Sequence, residues 1–162
     1  MVIMTYKTRM ATQHKIDNFY DILVNKTKGS NYAYSDVIKH CPTLFKLLCD
    51  LYADTQINGI ERWLVASAIA YFVAPRDVVL EETYGPAGYV DDLFMSVYVI
   101  KKVNKTASIT VSKHWHEKED LSELLTELLK NTRRILGSKT EKVLIFAGLM
   151  EKGEEGEDFA GE

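Results

Sequence analysis

Apolar residues recur at the spacing of an α-helix along most of this 162-residue chain, and this pattern limits the folds available to it more than any other. The first such segment carries a set of residues at i, i+3, i+4, i+7 and i+8, which lie on one helix face. They are Ile16, Phe19, Tyr20, Leu23 and Val24. The period-two alternation of a half-buried strand hardly appears. The sequence therefore predicts an all-α, single-domain bundle of five to six helices.

Start signals divide the bundle into further helices. Pro42 suits the first position of a helix, because its missing N–H would have no partner there. Asn58 with Glu61, and Ser138 with Glu141, have the spacing of a capping box. Each of these positions is followed by an apolar segment, so each predicts a new helix.

The second half of the chain contains the clearest amphipathic helix, which is predicted between Leu121 and Gly137. An almost wholly apolar helix precedes it and is expected to end near Lys101 and Lys102, whose cations favour a helix C-terminus. The β-branched segment 106–111 is then interpreted as a connector. The apolar helix belongs at the centre of the bundle, in an antiparallel hairpin with the helix before it.

Length and an apolar content of 46% allow one hydrophobic core, so residues 1–150 are predicted to form one domain. Residues 151–162 contain six acids and one lysine, and we expect this tail to be disordered. Without the tail the chain carries a net charge of +2, with its basic residues spread out. The densest basic group is Lys130, Arg133, Arg134, Lys139 and Lys142. Because no aromatic residues alternate with these cations, nucleic acid is not an expected partner.

The sequence favours a cytoplasmic location. The N-terminal apolar stretch is shorter than the core of a signal peptide, and the charge-free segment from Trp63 to Pro75 is about half the roughly 20 residues of a membrane-spanning helix. Cys41 and Cys49 would lie about 12 Å apart on a helix, which is too far for a disulfide. We therefore expect two reduced thiols.

An acidic turn rich in proline and glycine joins the two helices of the predicted hairpin, over residues 74–92. Antiparallel packing brings Asp77, after the first helix, close to Asp91 and Asp92, which open the second. The turn is the one part of the sequence where acidic side chains are expected to converge. It therefore supplies the candidate functional residues.

This turn resembles a known pattern, that of the YkvA-like family, or domain of unknown function 1232. Pro75 and Asp77 match the start of the family signature, Glu81 its second acid, Gly88 its glycine, and 91–92 its closing aspartate pair. The resemblance covers roughly residues 63–103. It implies a helical hairpin but no reaction, because the activity of the family is undefined, and some of its members look membrane-associated.

The functional interpretation of the turn is a ligand or metal site, with Asp77, Glu81, Asp91 and Asp92 as candidate residues. Carboxylate oxygens are the ligands that Mg²⁺, Mn²⁺ and Ca²⁺ prefer. Neighbouring residues on a helix point about 100° apart, so Asp91 and Asp92 cannot both be directed at one ion. Asp91 lies nearer the core face of the helix, and Asp77 with Asp91 is therefore the predicted metal pair. The structural alternative is that the acids cap the helix and interact with its dipole, for roughly 0.3–1 kcal/mol each.

A second candidate is the pair His114 and His116. Both imidazoles would share a face only in an extended backbone, where alternate side chains point the same way. In a helix they would diverge. We interpret the pair as the solvated entry to the following helix.

These patterns favour a non-enzymatic binding or assembly module that contacts a protein partner or a second copy of itself. The alternative is a divalent-metal-dependent hydrolase of phosphate esters, with Asp77 and Asp91 as ligands and Glu81 or His116 as base. A second alternative is a peripheral membrane protein attached through the apolar hairpin.

Overall fold

The computed structural model describes residues 2–74, 78 and 85–150, with side chains described from residue 14 onward. All the regular elements in these ranges are helices, so the predicted all-α class is confirmed. The helices are α1 (Val2–Lys26), α2 (Ser35–Ile38), α3 (Cys41–Ala53), α4 (Gly59–Val73), α5 (Val90–Thr106), α6 (Ser108–His114), α7 (Leu121–Leu136) and α8 (Lys139–Phe146). A 3₁₀ turn, Gly85–Tyr89, leads into α5.

The described part of the chain thus holds more helices than the five to six predicted, because it includes two short ones, α2 and α6, of which α6 lies largely in the predicted connector. α2 has four residues and α6 has seven. The predicted tail, 151–162, lies outside the described residues.

Helix α5 lies at the centre of the bundle, as predicted from its apolar composition. It packs against α3, α4, α6, α7 and α8. Eleven of its residues are buried, including Leu93, Phe94, Val97 and Ile100 on one face and Met95 and Val99 elsewhere around it. A helix that is enclosed on nearly all sides must be apolar all round, which explains its sequence.

Three aromatic rings tie the first half of the chain together. Phe19 of α1 lies 5.0 Å from the ring of Phe45 in α3, and Phe45 lies 5.2 Å from Phe72 in α4, measured between centroids. These tilted and edge-on contacts are the arrangements that aromatic pairs prefer. The rings therefore fix α1 and α4 against the same end of α3.

The boundary between α5 and α6 corrects the sequence interpretation. α5 continues past Lys101 and Lys102 to Thr106, and the predicted connector is helical from Ser108 onward. Val103 and Val111 are both fully buried. The weak intrinsic preference of β-branched residues against helix is therefore outweighed by tertiary burial.

The predicted helix start residues lie where the helices begin, but not all of them make a capping hydrogen bond. Pro42 lies in the first turn of α3, and Asn58 and Ser138 stand at the N-caps of α4 and α8. Neither of these two side chains makes a capping hydrogen bond. Asp120, before α7, does accept one, from the backbone N–H of Glu123 at 2.9 Å.

Two further expectations concern redox state and membranes. Cys41 is a buried free thiol and Cys49 a partly buried one. In the ranges that the structure describes, every helix is too short or too polar to cross a bilayer.

Candidate functional site

The acidic end of the α4–α5 hairpin lies inside the core. Asp91 and Asp92 stand in the first turn of α5, and both side chains are completely buried. Helix geometry predicted that the two side chains could not both be directed at one ion. Both are enclosed because neighbouring helices surround α5, so no side of its first turn faces solvent.

Tyr71, near the end of α4, holds Asp91 directly. Its hydroxyl donates a hydrogen bond of 2.7 Å to Oδ2 of Asp91, and the backbone N–H of Val78 donates to the same hydroxyl at 3.4 Å. Burial, with the negative charge of Asp91, raises the pKa of Tyr71. The phenol therefore stays protonated and acts as a donor to the carboxylate.

Cys41, the first residue of α3, lies beside the same acids. Its thiol is 3.8 Å from the carbonyl oxygen of Tyr89, which directly precedes α5. Burial raises the pKa of this thiol, and the charges of Asp92 and Asp91 raise it further. Since the thiolate is the reactive form of cysteine, this environment suppresses nucleophilic chemistry at Cys41.

The structure describes two of the four predicted ligand residues. Asp91 and Asp92 are described, whereas Asp77 and Glu81 lie outside the described residues. In the ranges that are described, no three His, Cys, Asp or Glu side chains gather as metal ligands would. The pairing of Asp77 with Asp91 around Mg²⁺, Mn²⁺ or Ca²⁺ therefore stays a prediction.

A second polar cluster joins the end of α3 to the end of α6. Asp54 follows α3, and its Oδ2 lies 2.7 Å from Nε2 of His114 and 3.0 Å from Nζ of Lys113. Its Oδ1 accepts the backbone N–H of Gln56 at 2.8 Å. These donors, the backbone N–H first among them, hold the pKa of Asp54 well below its usual value.

This cluster changes the interpretation of the two histidines. His114 is the last residue of α6 rather than part of the entry to α7, and His116 is exposed beyond it. Sequence reasoning missed Asp54, because its partners lie about 60 positions away. In the sequence, an aspartate such as Asp54, whose side chain can accept the N–H of the residue two positions later, indicates only a turn.

The third feature is an apolar surface on α4. We define the α4 outer face by the side chains that lie away from α3 and α5, which are Ile60, Trp63, Ala66, Ser67, Ala70 and Val73. Ile60 is 61% exposed, Val73 50% and Trp63 48%. From residue 63 to the end of α4 the sequence has no charged residue. The helix is therefore apolar on its solvent side as well as on its buried side.

Arg62, a charged residue next to Trp63 in sequence, is bound to α3. The guanidinium of Arg62 lies 4.3 Å from the centroid of the Tyr52 ring and donates a 2.7 Å hydrogen bond to the Tyr52 carbonyl oxygen. Arg62 thus connects α4 to α3. It leaves the α4 outer face to Trp63 and its apolar neighbours.

Comparison with known proteins adds a family. The sequence model of a family described as "Protein of unknown function (DUF1232)" matches residues 61–98. An uncharacterised protein of Methanothermobacter thermautotrophicus, "Uncharacterized protein ORF9", is 32% identical over 117 residues, which is 72% of this chain and 80% of that protein. The chain belongs to the DUF1232 family. No solved structure matches it significantly.

The matched residues of the DUF1232 family are those of the hairpin. Residues 61–98 run from the first turn of α4 to the middle of α5, so they contain most of the α4 outer face together with Tyr71, Asp91 and Asp92. The resemblance seen in the sequence is thereby confirmed. Neither the family nor the relative carries a described activity.

Proposed function

We propose that this protein is a non-enzymatic binding or assembly module that docks a partner on the α4 outer face. The observation that carries the proposal is the exposure of Trp63 and Ile60 on a helix without charges from residue 63 onward. A helix that is apolar all round normally lies in a protein interior. Here one side of such a helix faces solvent, so a binding surface is the physical reason for its composition.

The side chains on this face suit binding. Tryptophan is among the residues that contribute most energy to protein interfaces, because its large ring buries much apolar area with few rotatable bonds. Ile109 on α6 is exposed singly among polar neighbours and needs no such explanation. Ile145 and Phe146 are exposed next to each other at the end of α8, but that short helix also carries charged residues. We assign docking to α4 because its uncharged stretch is longer.

Two considerations support the rest of the proposal. Free thiols are typical of proteins in a reducing compartment, which supports a cytoplasmic location. An apolar, uncharged docking face favours a protein partner over nucleic acid, whose binding requires several cations.

Site-specific photo-crosslinking tests the proposal. A benzophenone amino acid placed at Trp63 in the full-length protein, and irradiated in the cells that produce it, should form a covalent adduct. The same group at Glu127, an exposed position on α7, is the matched control and should form little adduct. Equal yields at the two positions, or no adduct at Trp63, would contradict docking on α4.

The second candidate is the divalent-metal-dependent hydrolase, and the burial of Asp91 next to Asp92 favours it. Carboxylate oxygens are the ligands that divalent cations such as Mg²⁺, Mn²⁺ and Ca²⁺ prefer. In this candidate Asp77 and Asp91 hold the ion, and Glu81 or His116 is the base.

Metal analysis tests this second candidate. Protein purified without chelator should contain stoichiometric Mg²⁺, Mn²⁺ or Ca²⁺, and Asp91→Asn should lose it together with any hydrolysis of phosphate esters. Protein that contains no metal, and whose melting temperature does not change on adding these ions, would eliminate the candidate.

A further inference from the structure

We propose that the partner on the α4 outer face is a second copy of this chain, with the two α4 helices packed antiparallel across a two-fold axis. This inference rests on the proposed function and names its partner. Two-fold dimers are the commonest oligomers, and their interface is a surface that is complementary to itself. The α4 outer face meets that condition.

The complementarity is one of size. Bulky residues, Ile60 and Trp63, occupy the N-terminal half of the face, and smaller residues, including Ala70, occupy the C-terminal half. In an antiparallel pair whose axis passes midway between Trp63 and Ala70, each tryptophan lies opposite the alanine of the other copy. The same axis brings Ile60 of one copy and Val73 of the other to the same level, at the two margins of the face. A parallel pair would instead set the two tryptophans against each other.

The centre of the face is suited to close contact. Ala66 and Ser67 lie at the proposed axis, and their small side chains let two helix backbones approach to the lower part of the usual 8–10 Å range. The bulky and small positions, 63 and 70, are seven residues and about 10.5 Å apart on the helix. A bulky side chain at position 63, the knob, and a space beside the small residue at position 70, the hole, therefore occur on both sides of the axis.

Charge also favours a second copy. The face carries no charge from residue 63 onward, so it offers nothing to an acidic or basic partner, whereas two identical neutral faces repel each other nowhere. Antiparallel packing places the positive end of each helix dipole beside the negative end of the other. A membrane is a poorer occupant, because surface-binding helices depend on lysine and arginine around the apolar face, and Arg62 is engaged with Tyr52.

The area of the face predicts a weak complex. One large aromatic side chain and a few aliphatic ones, each about half exposed, present on the order of 400 Å² per copy, against roughly 800 Å² per partner in a standard stable interface. We therefore expect a dimer that forms at high micromolar concentration and dissociates on dilution.

Sedimentation equilibrium of the purified full-length protein, over a range of concentrations, tests the inference through exchange of the knob and the hole. Trp63→Ala removes the knob and Ala70→Trp fills the hole, so each should weaken dimerisation about tenfold or more. The double variant moves the knob to position 70 and the hole to position 63. It should restore dimerisation to within about threefold of the original protein.

Ile109→Ala is the matched control, since Ile109 is 87% exposed on α6, and it should leave the association constant unchanged. Circular dichroism of each variant excludes loss of fold as the cause. The inference is overturned if the original protein stays monomeric at millimolar concentration, or if the double variant associates no better than the single ones.

Photo-crosslinking at position 63 distinguishes failure of the dimer inference from failure of the proposed function. A monomeric protein that still forms an adduct of another mass at Trp63 docks a different protein, and adducts with lipid together with sedimentation on vesicles of anionic phospholipid indicate a membrane. In both cases the inference that the partner is a second copy is wrong, while α4 remains the docking face. If position 63 forms no adduct of any kind and the protein does not associate, both proposals are wrong.

Discussion

The hydroxyl of Tyr71 makes a polar contact between the two helices of the hairpin. It connects the last turn of α4 to the first turn of α5 through the carboxylate of Asp91, inside the core. A hydrogen bond to a buried charged group contributes more to stability than one between neutral groups, and breaking it leaves the charge less well compensated. This contact should therefore matter for folding whether or not the site binds a ligand.

Tyr71→Phe should destabilise the protein by about 1.5–3 kcal/mol, because it removes the donor to Asp91 and keeps the ring. Urea unfolding followed by circular dichroism measures the change. Tyr52→Phe, which removes a hydroxyl from an exposed ring, is the control and should lie within about 0.5 kcal/mol of the original protein. Equal effects of the two substitutions would show that the Tyr71 hydroxyl contributes no special stability.

Asp54 predicts a pH dependence. Its folded-state pKa lies below the ordinary value of 3.8, so the stability it contributes is fully present above that value and is lost as the pH falls below it. Asp54→Asn should therefore be less stable than the original protein at pH 7, and the difference should shrink towards pH 2. Asp50→Asn, which removes an exposed ion pair with Lys46, should show a smaller difference at pH 7. A difference for Asp54→Asn that does not change with pH would contradict this account.

At the level of the helices, two N-cap positions that look alike in sequence behave differently in the structure. Asp120 accepts the backbone N–H of Glu123, whereas Ser138 makes no capping bond with its side chain. Asp120→Ala should cost about 0.5–2 kcal/mol, the usual range for loss of a cap. Ser138→Ala should change the free energy of unfolding by less than about 0.5 kcal/mol. Thermal unfolding of both variants measures the contrast, and a larger loss from Ser138→Ala would reverse it.

Helix α4 also shows why a helix can be identified from sequence while its environment cannot. Its apolar composition is the same on the side that packs against α5 and on the α4 outer face. Only the packing of α3 and α5 against one side distinguishes them. The exposed side then becomes the candidate docking surface.

For the molecule as a whole, the two thiols report the integrity of the core. Cys41 is buried, and burial raises the pKa of Cys49 to about 12, so its thiol stays protonated at pH 8. Ellman's reagent should therefore react with both thiols far more slowly in the native protein than in 6 M guanidinium. Rapid reaction of either thiol under native conditions would show that the bundle opens locally.

Local patterns were enough to predict most of the helices. The heptad-like spacing from Leu121 predicts α7, which ends before Gly137 at a positive φ of 54° that glycine adopts without strain. The nearly apolar, uncharged stretch 93–100 of α5 predicts its central place. These features depend on spacing along one helix, and a sequence shows that spacing directly.

The sequence by itself determined the all-α class, the central hairpin and the membership suggested by its acidic turn. The tertiary structure decided what no local pattern contains: that Asp91 and Asp92 are both enclosed, that Asp54 meets His114, and that Trp63 is left in solvent. Each of these depends on which helices become neighbours. That choice is made by summed burial over the whole core, because the free energy of packing belongs to pairs of surfaces rather than to single residues.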